Sequence, residues 1–545
     1  MARILVFTAT YNEADNIESL VDEINRYLPG QHILIVDDSS PDGTGDILDR
    51  LADANEKIHV VHRPRKLGLG TAHKLAMKYA VQNGFDILVT MDADFSHHPK
   101  YLPTLIEKIK DHDFVIGSRY MKGGGCGYGF VRNFISRTAN ILARSLLGLK
   151  LKETTTSYRG FRVSELKKLN IDSIHAEGYA FFVESIFVVS LLTDKLAEFP
   201  IYFADRRAGS SKISKVEILK GITNLLRLFY LRLFSRAYRD SLKKDSKISE
   251  SICANCQSIY NTEVYPASVK QIQSNDVYQC TNFEHKSHGR IVQCLQCGLM
   301  YTESRLSDVQ LKEFYADVED PLYARNIDAR YQTFRYNLNQ IRGLLPVKGR
   351  LLDVGAYCGA FLKIAQESGF EAMGIEPSKW ASRFAREELN QNVMQGALKD
   401  IPAHINGFDV ISLWDVLEHV HDPREELRLI SSKLSKGGIL VFSTLDVDNW
   451  FPRLLGERWP WFMDMHLFYF NQEVLNHMLS QTGFELIHIQ SYSHFITVDY
   501  FLSKLESLGV WGIKYIKKIN RVIPLGKMNV KFRFGDIKMF VARKI

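Results

Sequence analysis

Residues 91–99 read M-D-A-D-F-S-H-H-P, and they set two carboxylates, Asp92 and Asp94, directly behind the apolar run F-D-I-L-V-T-M at 85–91. That run has the composition of a strand, and the strand is expected to end there, ahead of the turn signal at Pro99. Side chains two apart on an extended backbone point the same way. Two carboxylates so placed suit a hard divalent cation, which is usually held by one or two carboxylates together with substrate phosphates. A solvated acidic turn is the simpler alternative, and the neighbouring motifs weigh against it.

Those carboxylates need a sheet to carry them. Residues 1–239 alternate short apolar strands, such as 4–7, 33–36, 58–61 and 87–90, with amphipathic helices. The pattern is α/β with a mostly parallel, doubly wound sheet, and ligands of such sheets bind at the carboxyl ends of strands. T-A-T-Y-N-E at 8–13 and V-D-D-S-S-P-D-G-T-G-D at 36–46 follow the first two strands. Tyr11, Glu13, Asp38, Asp92 and Asp94 are therefore expected to converge on one crevice. K-L-G-L-G-T-A at 66–72 adds a glycine-rich turn opening a helix, and G-S-R-Y at 117–120 puts Arg119 behind a further strand.

The chain has 545 residues, enough for two to four domains, with ordinary apolar (46%) and charged (24%) fractions. A net charge of +7 suits anionic partners such as nucleotides, lipid phosphates or a membrane surface, and is too weak to argue for nucleic acid. No signal peptide or spanning helix is read. The longest apolar stretch, 179–192, contains Glu184 and is expected to be a buried helix. Five of the seven cysteines fall between 253 and 297 with paired C-x-x-C spacing, which suggests a metal rather than disulfides and a cytosolic compartment. The polar stretch 240–251 reads as a linker, 252–302 as a zinc module, 303–349 as a helical connector, and 350–545 as a second α/β series.

In register, T-Y-N-E, V-D-D-S-S-P-D-G-T, K-L-G-L-G-T-A, M-D-A-D-F-S-H-H-P, G-S-R-Y and D-R-R-A-G-S-S-K resemble the dolichol-phosphate mannose synthases, inverting family-2 glycosyltransferases of the GT-A fold. The resemblance covers nearly all of residues 1–235. It implies that Tyr11, Glu13, Val36, Asp38 and Ala93 line the nucleotide-sugar pocket. It implies that Asp92 and Asp94 meet the diphosphate and its Mg²⁺ or Mn²⁺, with Ser96 near the metal, and that Arg119, Arg206 and Lys212 hold phosphates. Asp94, Arg119, Arg206 and Lys212 are the expected catalytic set. Ala9 departs from the usual proline, and Glu153 from the usual aspartate.

The chemistry can be argued from charge alone. A lipid monophosphate acceptor has a second pKa near 6, so it is already a nucleophile without a general base. The harder task is to bring one anion up to another, which preorganised cations solve. Arginine suits this because its fork engages two phosphate oxygens. An approach to the membrane is also legible. Ile222, Leu225, Leu226, Phe229 and Leu233 fall at helical spacing between Arg227, Arg232, Arg236 and Arg239, and 131–147 repeats the combination. An ordinary helix packed on the sheet is the alternative.

C-A-N-C at 253–256 and C-L-Q-C at 294–297 suit tetrahedral Zn²⁺ on Cys253, Cys256, Cys294 and Cys297, with Cys280, His285 and His288 as possible replacements. Further on, R-L-L-D-V-G-A-Y-C-G-A-F-L at 350–362 reads as strand, glycine turn and helix. Glu376 stands 21 residues after Gly355, where an acidic residue bonds a ribose diol. With F-D-V-I-S-L-W-D-V-L-E-H-V-H-D-P at 408–423 and L-S-K-G-G-I-L-V-F-S-T at 434–444, this half resembles class I S-adenosylmethionine methyltransferases. The resemblance implies cofactor contacts from Asp353, Gly355, Gly359, Glu376, Trp414 and Asp415, with Tyr357 in place of the usual central glycine. His419, His421 and His466 are candidate bases.

The sequence thus reads as an α/β fusion of two enzymes, a doubly wound GT-A domain and a Rossmann-like methyltransferase, with a small zinc module between them. One transfers a hexose, expected to be mannose from GDP-mannose, to a polyprenyl or dolichyl phosphate at the cytoplasmic face of a membrane, as a peripheral protein. The other methylates a sugar or glycolipid. Two alternatives stay open: glucosyl or direct saccharide transfer by the first half, and a non-catalytic scaffold in the second.

Overall fold

The computed structural model describes residues 2–127, 129–204, 215–234, 238, 242, 251–268, 287–304, 307–507 and 528–545. The chain divides into two compact units: residues 1–250 with 258–262 and 294–298, and residues 251–257, 263–293 and 299–545.

The first unit holds strands β1 (Ile4–Thr10), β2 (His32–Asp37), β3 (Ile58–His62), β4 (Ile87–Thr90), β5 (Phe114–Ser118), β6 (Gly125–Cys126), β7 (Arg159–Arg162), β8 (Leu196–Pro200) and β9 (Tyr202–Phe203). Seven of them form one sheet of order β3-β2-β1-β4-β7-β5-β8. All neighbours are parallel except β7, which runs antiparallel to both β4 and β5. Alternate residues feed two cores. Leu5, Phe7, Leu34 and Val36 face the helices Leu69–Gln82 and Ala180–Leu192, while Ile4, Val6, Ile33 and Ile35 face Ile17–Tyr27. Burial on both faces is why these strands read as unbroken apolar runs.

The helix Ala180–Leu192 is buried, as its composition predicts. Its Glu184 is satisfied by the His175 and Ala176 N–H groups and by Arg227 Nη2 at 2.6 Å. The helix Lys215–Leu233 divides its apolar residues between two faces. Leu228 is buried, and Leu225 and Leu231 pack on the core; Leu219, Ile222, Leu226, Tyr230 and Leu233 are each more than half exposed. The stripe read from spacing is therefore two stripes. Arg232 Nη1 donates to Leu146 O at 2.7 Å, tying this helix to Phe130–Leu147, which exposes Phe134, Ile135, Ile141 and Leu142. Among the described residues no helix is long and apolar enough to cross a membrane.

The cysteine-bearing segments carry β10 (Asn261–Tyr265), β11 (Ile291–Cys294) and β12 (Met300–Thr302). Behind them come β13 (Gly349–Val354), β14 (Phe370–Glu376), β15 (Val393–Gln395), β16 (Phe408–Trp414), β17 (Leu434–Leu445), β18 (Phe468–Tyr469), β19 (Phe484–Ser491), β20 (His494–Thr497), β21 (Asn529–Phe532) and β22 (Ile537–Lys544). The large sheet of the second unit has order β15-β14-β13-β16-β17-β22-β19 and is parallel except for β22, antiparallel to both neighbours. A smaller sheet has order β10-β11-β12-β18. Residues 327–341, read as part of a connector, form a helix whose Phe334, Leu338 and Ile341 share a core with Leu351 and Phe361.

Gly374 on β14 lies under the turn that follows β13. A Cβ there would stand 2.6 Å from the Ala356 Cβ and 2.8 Å from Leu362 Cδ1. Gly374→Ala is expected to destabilise the second unit by about 1–3 kcal/mol through overpacking, read as a lower urea midpoint with unchanged slope.

Candidate active sites

The acidic crevice of the first unit lies at the carboxyl ends of β2 and β4. Asp37 accepts from Thr10 Oγ1 at 2.9 Å and Ser40 Oγ at 2.5 Å. Asp38 accepts from Arg63 Nε at 2.5 Å, and Arg63 is buried. Burial pushes the Asp38 carboxyl above its ordinary range, and Arg63 offsets only part of this. Arg63 Nη1 in turn donates to Thr71 Oγ1 at 2.8 Å, which joins the glycine-rich turn to β2. From that turn, Lys66 Nζ sits 3.2 Å from the Tyr11 ring centroid, a cation–π contact. Glu13 donates its N–H to Thr44 Oγ1 at 3.0 Å and accepts from Asn16 Nδ2 at 2.8 Å. The side chains of Val36 and Ala93 are buried in the two cores, so they offer the crevice little beyond backbone.

Asp92 and Asp94 lie past the end of β4, and the chain turns at Phe95 with φ 62°. Their placement is thus set by loop bonds rather than by strand alternation. Asp92 accepts from Ser157 Oγ at 2.5 Å and lies 3.2 Å from His97 Nδ1. Burial pushes its carboxyl up, but His97 and the Ser157 hydroxyl outweigh this and hold it well below the usual range. Asp94 accepts the Ser96 N–H at 3.0 Å. Ser96 Oγ is buried with no hydrogen-bond partner. A buried oxygen left over beside a carboxylate is what a hard cation satisfies, so these residues fit Mg²⁺ or Mn²⁺.

Arg119 is buried and forked on Glu153, with Nε to Oε2 at 2.8 Å and Nη2 to Oε1 at 3.0 Å, and Nη2 also reaches Thr155 Oγ1 at 2.7 Å. Burial raises the Glu153 carboxyl, but the guanidinium and the Thr155 donors bring it below its ordinary value. The fork expected to grip phosphate is thus engaged by a carboxylate. Phe203 links this pair to the acidic loop: its ring lies 5.4 Å from Arg119 Cζ and edge-on to His97 at 4.9 Å. Arg206 and Lys212 lie outside the described residues.

In the second unit, Asp353, Gly355, Glu376, Trp414 and Asp415 line one cavity of about 730 Å³. Gly359 instead opens the helix Ala360–Glu367 with φ 76°. Glu376 clamps the glycine turn, accepting the Tyr357 and Ser378 N–H groups, each at 2.8 Å. Tyr357 has φ 46°, which explains the usual glycine; its ring leaves the turn to pack edge-on against Tyr323 at 4.6 Å. Burial pushes Asp353 up to about 8, though Ser412 Oγ donates to it at 2.6 Å, and pushes Glu376 up to about 7 despite its N–H donors. Asp415 accepts from Ser443 Oγ at 2.7 Å. Trp414 packs on Phe361, and its buried Nε1–H, on the cavity wall, has no acceptor. An orphan donor in the same cavity as a ribose-type acid fits an adenosine cofactor.

Cys253 and Cys256 belong to the second unit and Cys294 and Cys297 to the first, and the two C-x-x-C pairs together are a donor set that fits zinc. Cys280 and His285 lie outside the described residues, and His288 turns its Nδ1 to Gly289 O at 2.8 Å.

A model of glycosyl transferase family 2 matches residues 5–169. The undecaprenyl-phosphate mannosyltransferase of Micrococcus luteus is 37% identical over 226 residues, covering 41% of this chain and 93% of that protein. The chain belongs to glycosyl transferase family 2. A second relative, the polyprenol monophosphomannose synthase of Mycolicibacterium smegmatis, is 38% identical over 215 residues, covering 39% of this chain and 81% of that protein. A methyltransferase domain model matches residues 323–489, so this family 2 glycosyltransferase is fused to a methyltransferase domain. A solved SAM-dependent methyltransferase of Thermotoga maritima, a possible histamine N-methyltransferase, aligns at 18% identity over 41% of this chain and 94% of its own, with TM-score 0.29.

Sequence reading missed Arg63 and Ser157. Arg63 directly follows β3 in H-R-P-R-K-L-G, and a basic residue at a strand's carboxyl end was the available signal. Ser157 carried none, since its role depends on an antiparallel strand that no apolar run announces.

Two outcomes follow from these charges. Glu153→Ala strands the buried Arg119 guanidinium and is expected to cost about 3–5 kcal/mol, read as a lower urea midpoint of the glycosyltransferase unit. In the ligand-free methyltransferase unit, Asp353 and Glu376 have folded pKa values raised to about 8 and about 7, above those of the unfolded chain. The folded state then binds more protons, so their contribution is full below pH ~4 and lost as pH rises to about 8. Its melting temperature is expected to fall from pH 5 to pH 8, and Asp353→Asn to flatten that slope.

Proposed function

We propose that the glycosyltransferase unit transfers mannose from GDP-mannose, with inversion, to a polyprenyl phosphate, and that the methyltransferase unit methylates a sugar or glycolipid. The observation that carries the first part is the loop of Asp92, Asp94 and Ser96, with its orphan hydroxyl, in a chain similar to two polyprenyl-phosphate mannosyl transferring enzymes. Asp94 and Ser96 would hold the divalent cation, with Asp92 beside them. When bound, that ion neutralises the diphosphate leaving group. Ser157 and His97 keep Asp92 ionised and aimed. Asp38, Tyr11 and Glu13 form the nucleotide end of the crevice, and the Arg63–Thr71 link holds the glycine-rich turn against it. Arg206 and Lys212 would hold the acceptor phosphate, and Glu153 fixes Arg119 through its fork.

The acceptor's hydrocarbon tail needs an apolar surface. The stripe Leu219, Ile222, Leu226, Tyr230 and Leu233, with Phe134, Ile135, Ile141 and Leu142, supports a peripheral position at the cytoplasmic face of a membrane. In the methyltransferase unit, Asp353, Glu376 and Trp414 would orient S-adenosylmethionine, whose sulfonium supplies the methyl group.

The test is a panel of labelled nucleotide sugars with polyprenyl phosphate vesicles and purified full-length protein. Label is expected in the lipid phase from GDP-mannose, with Asp94→Asn reducing the rate on the order of 10²-fold or more. Preferred use of UDP-glucose, or label on a free saccharide, overturns the sugar and acceptor assignment. Calorimetry with S-adenosylmethionine reads the second unit separately, and failure to bind favours a scaffold.

A further inference from the structure

The cavity of the methyltransferase unit holds a second group of side chains, apart from those expected to touch the cofactor. Glu418, His419 and His466 all line it, and one ligand atom from each lies within 4.8 Å of the others. Glu418 and His419 follow β16, and His466 precedes β18. Backbone bonds hold the two segments together, because the Leu467 N–H donates to Glu418 O at 2.8 Å.

The hydrogen bonds fix how the imidazoles face. His419 Nδ1 lies 2.9 Å from Met465 O, and His466 Nδ1 lies 2.7 Å from Trp461 O. A carbonyl oxygen only accepts, so both Nδ1 atoms carry the proton and both Nε2 atoms carry a lone pair. Tyr315 Oη lies 2.9 Å from the same His419 Nδ1 and braces that ring. The two rings meet edge to face with centroids 4.7 Å apart. Glu418 is buried, and Thr444 Oγ1 donates to its Oε2 at 2.8 Å. Two imidazole lone pairs and a carboxylate within 4.8 Å of one another are three donor atoms of the kind a transition-metal ion takes. An Nδ1–H anchored on a backbone carbonyl is the usual outer support of a metal-bound histidine.

We propose that Glu418, His419 and His466 bind a divalent transition-metal ion at the acceptor end of the cavity, and that its open positions take an oxygen of the methyl acceptor. Two histidines and one carboxylate on one side of an ion leave such positions free, and imidazole suits zinc, copper, iron and nickel. The acceptor class is then an alcohol, and the product an O-methyl ether. The hydroxyl proton leaves to solvent when the oxygen binds the ion. That oxygen forms a bond to the methyl carbon of S-adenosylmethionine as the carbon–sulfur bond breaks. The electron pair of the broken bond stays on sulfur, leaving a neutral thioether. The inference rests on the methyltransferase assignment and is independent of the sugar that the other unit transfers.

The experiment uses the full chain with its cysteine group first filled with zinc, and Co²⁺ as the probe. Bound cobalt is counted by elemental analysis in the wild type, His419→Ala and His466→Ala. The wild type is expected to hold one more Co²⁺ per chain than either variant, with S-adenosylmethionine binding by calorimetry unchanged in all three. Any ion held at Asp92 and Asp94 is common to all and cancels. Equal cobalt in wild type and variants overturns the site. Should a variant lose its cofactor binding through misfolding, the wild type decides alone. Cobalt-loaded protein is expected to show two exchangeable, paramagnetically shifted Nδ1–H proton resonances, and their absence sinks the proposal. Loss of cofactor binding in the wild type would instead count against the methyltransferase reading.

Discussion

The acidic crevice depends on the register of one antiparallel strand. β7 enters an otherwise parallel sheet between β4 and β5, with Thr90 facing Arg159. Continuing that pairing two residues beyond β4 brings position 157 opposite position 92. Thr90 Oγ1 donates to Ser157 O at 2.5 Å and locks the crossing, so the Ser157 hydroxyl meets Asp92. A one-residue slip would turn Ser157 to the other face and leave Asp92 with His97 alone. Arg159 makes slippage costly: it is buried, and its guanidinium donates to Thr156 O, Thr154 O and Ser185 Oγ. The chemistry at the end of β4 is thus fixed by a buried arginine on its neighbour, six residues in sequence beyond Glu153, whose own partner is Arg119.

Those dependencies show which parts of the fold the sequence exposes. β1, β2, β4, β13, β14 and β16 are legible because their central residues are covered on both faces, so apolar side chains dominate them. β7 is R-G-F-R and advertises nothing, because its outer arginines bury their stems and spend their donors on carbonyls. Glu153 was noticed as a departure from a motif, yet its physical role is the neutralisation of Arg119, a pairing across 34 positions that no spacing rule finds. Tyr357 was noticed in the same way. Its φ of 46° confirms that the position wants glycine, but only the coordinates show the ring seated against Tyr323. The helix Lys215–Leu233 was legible as amphipathic. Which stripe faced inward was not, because leucine fills both.

The two units treat buried acids in opposite ways, and the difference suits what each must bind. In the glycosyltransferase unit, His97 and Ser157 meet Asp92, and Arg119 meets Glu153. Asp92 and Glu153 stay ionised at low proton concentration cost, since their neighbours favour the charged form. A crevice that must admit phosphates needs its fixed anions already neutralised, or the substrate would be repelled. In the methyltransferase unit, Asp353 and Glu376 have hydroxyl and N–H donors only, and burial drives both toward the neutral form. A cationic ligand bound beside them would favour their ionised forms, so its binding and proton release would be one equilibrium. A neutral ligand would leave both acids protonated. Uncompensated carboxyls that lower stability in the empty domain are thus groups whose charge would follow the charge of the ligand.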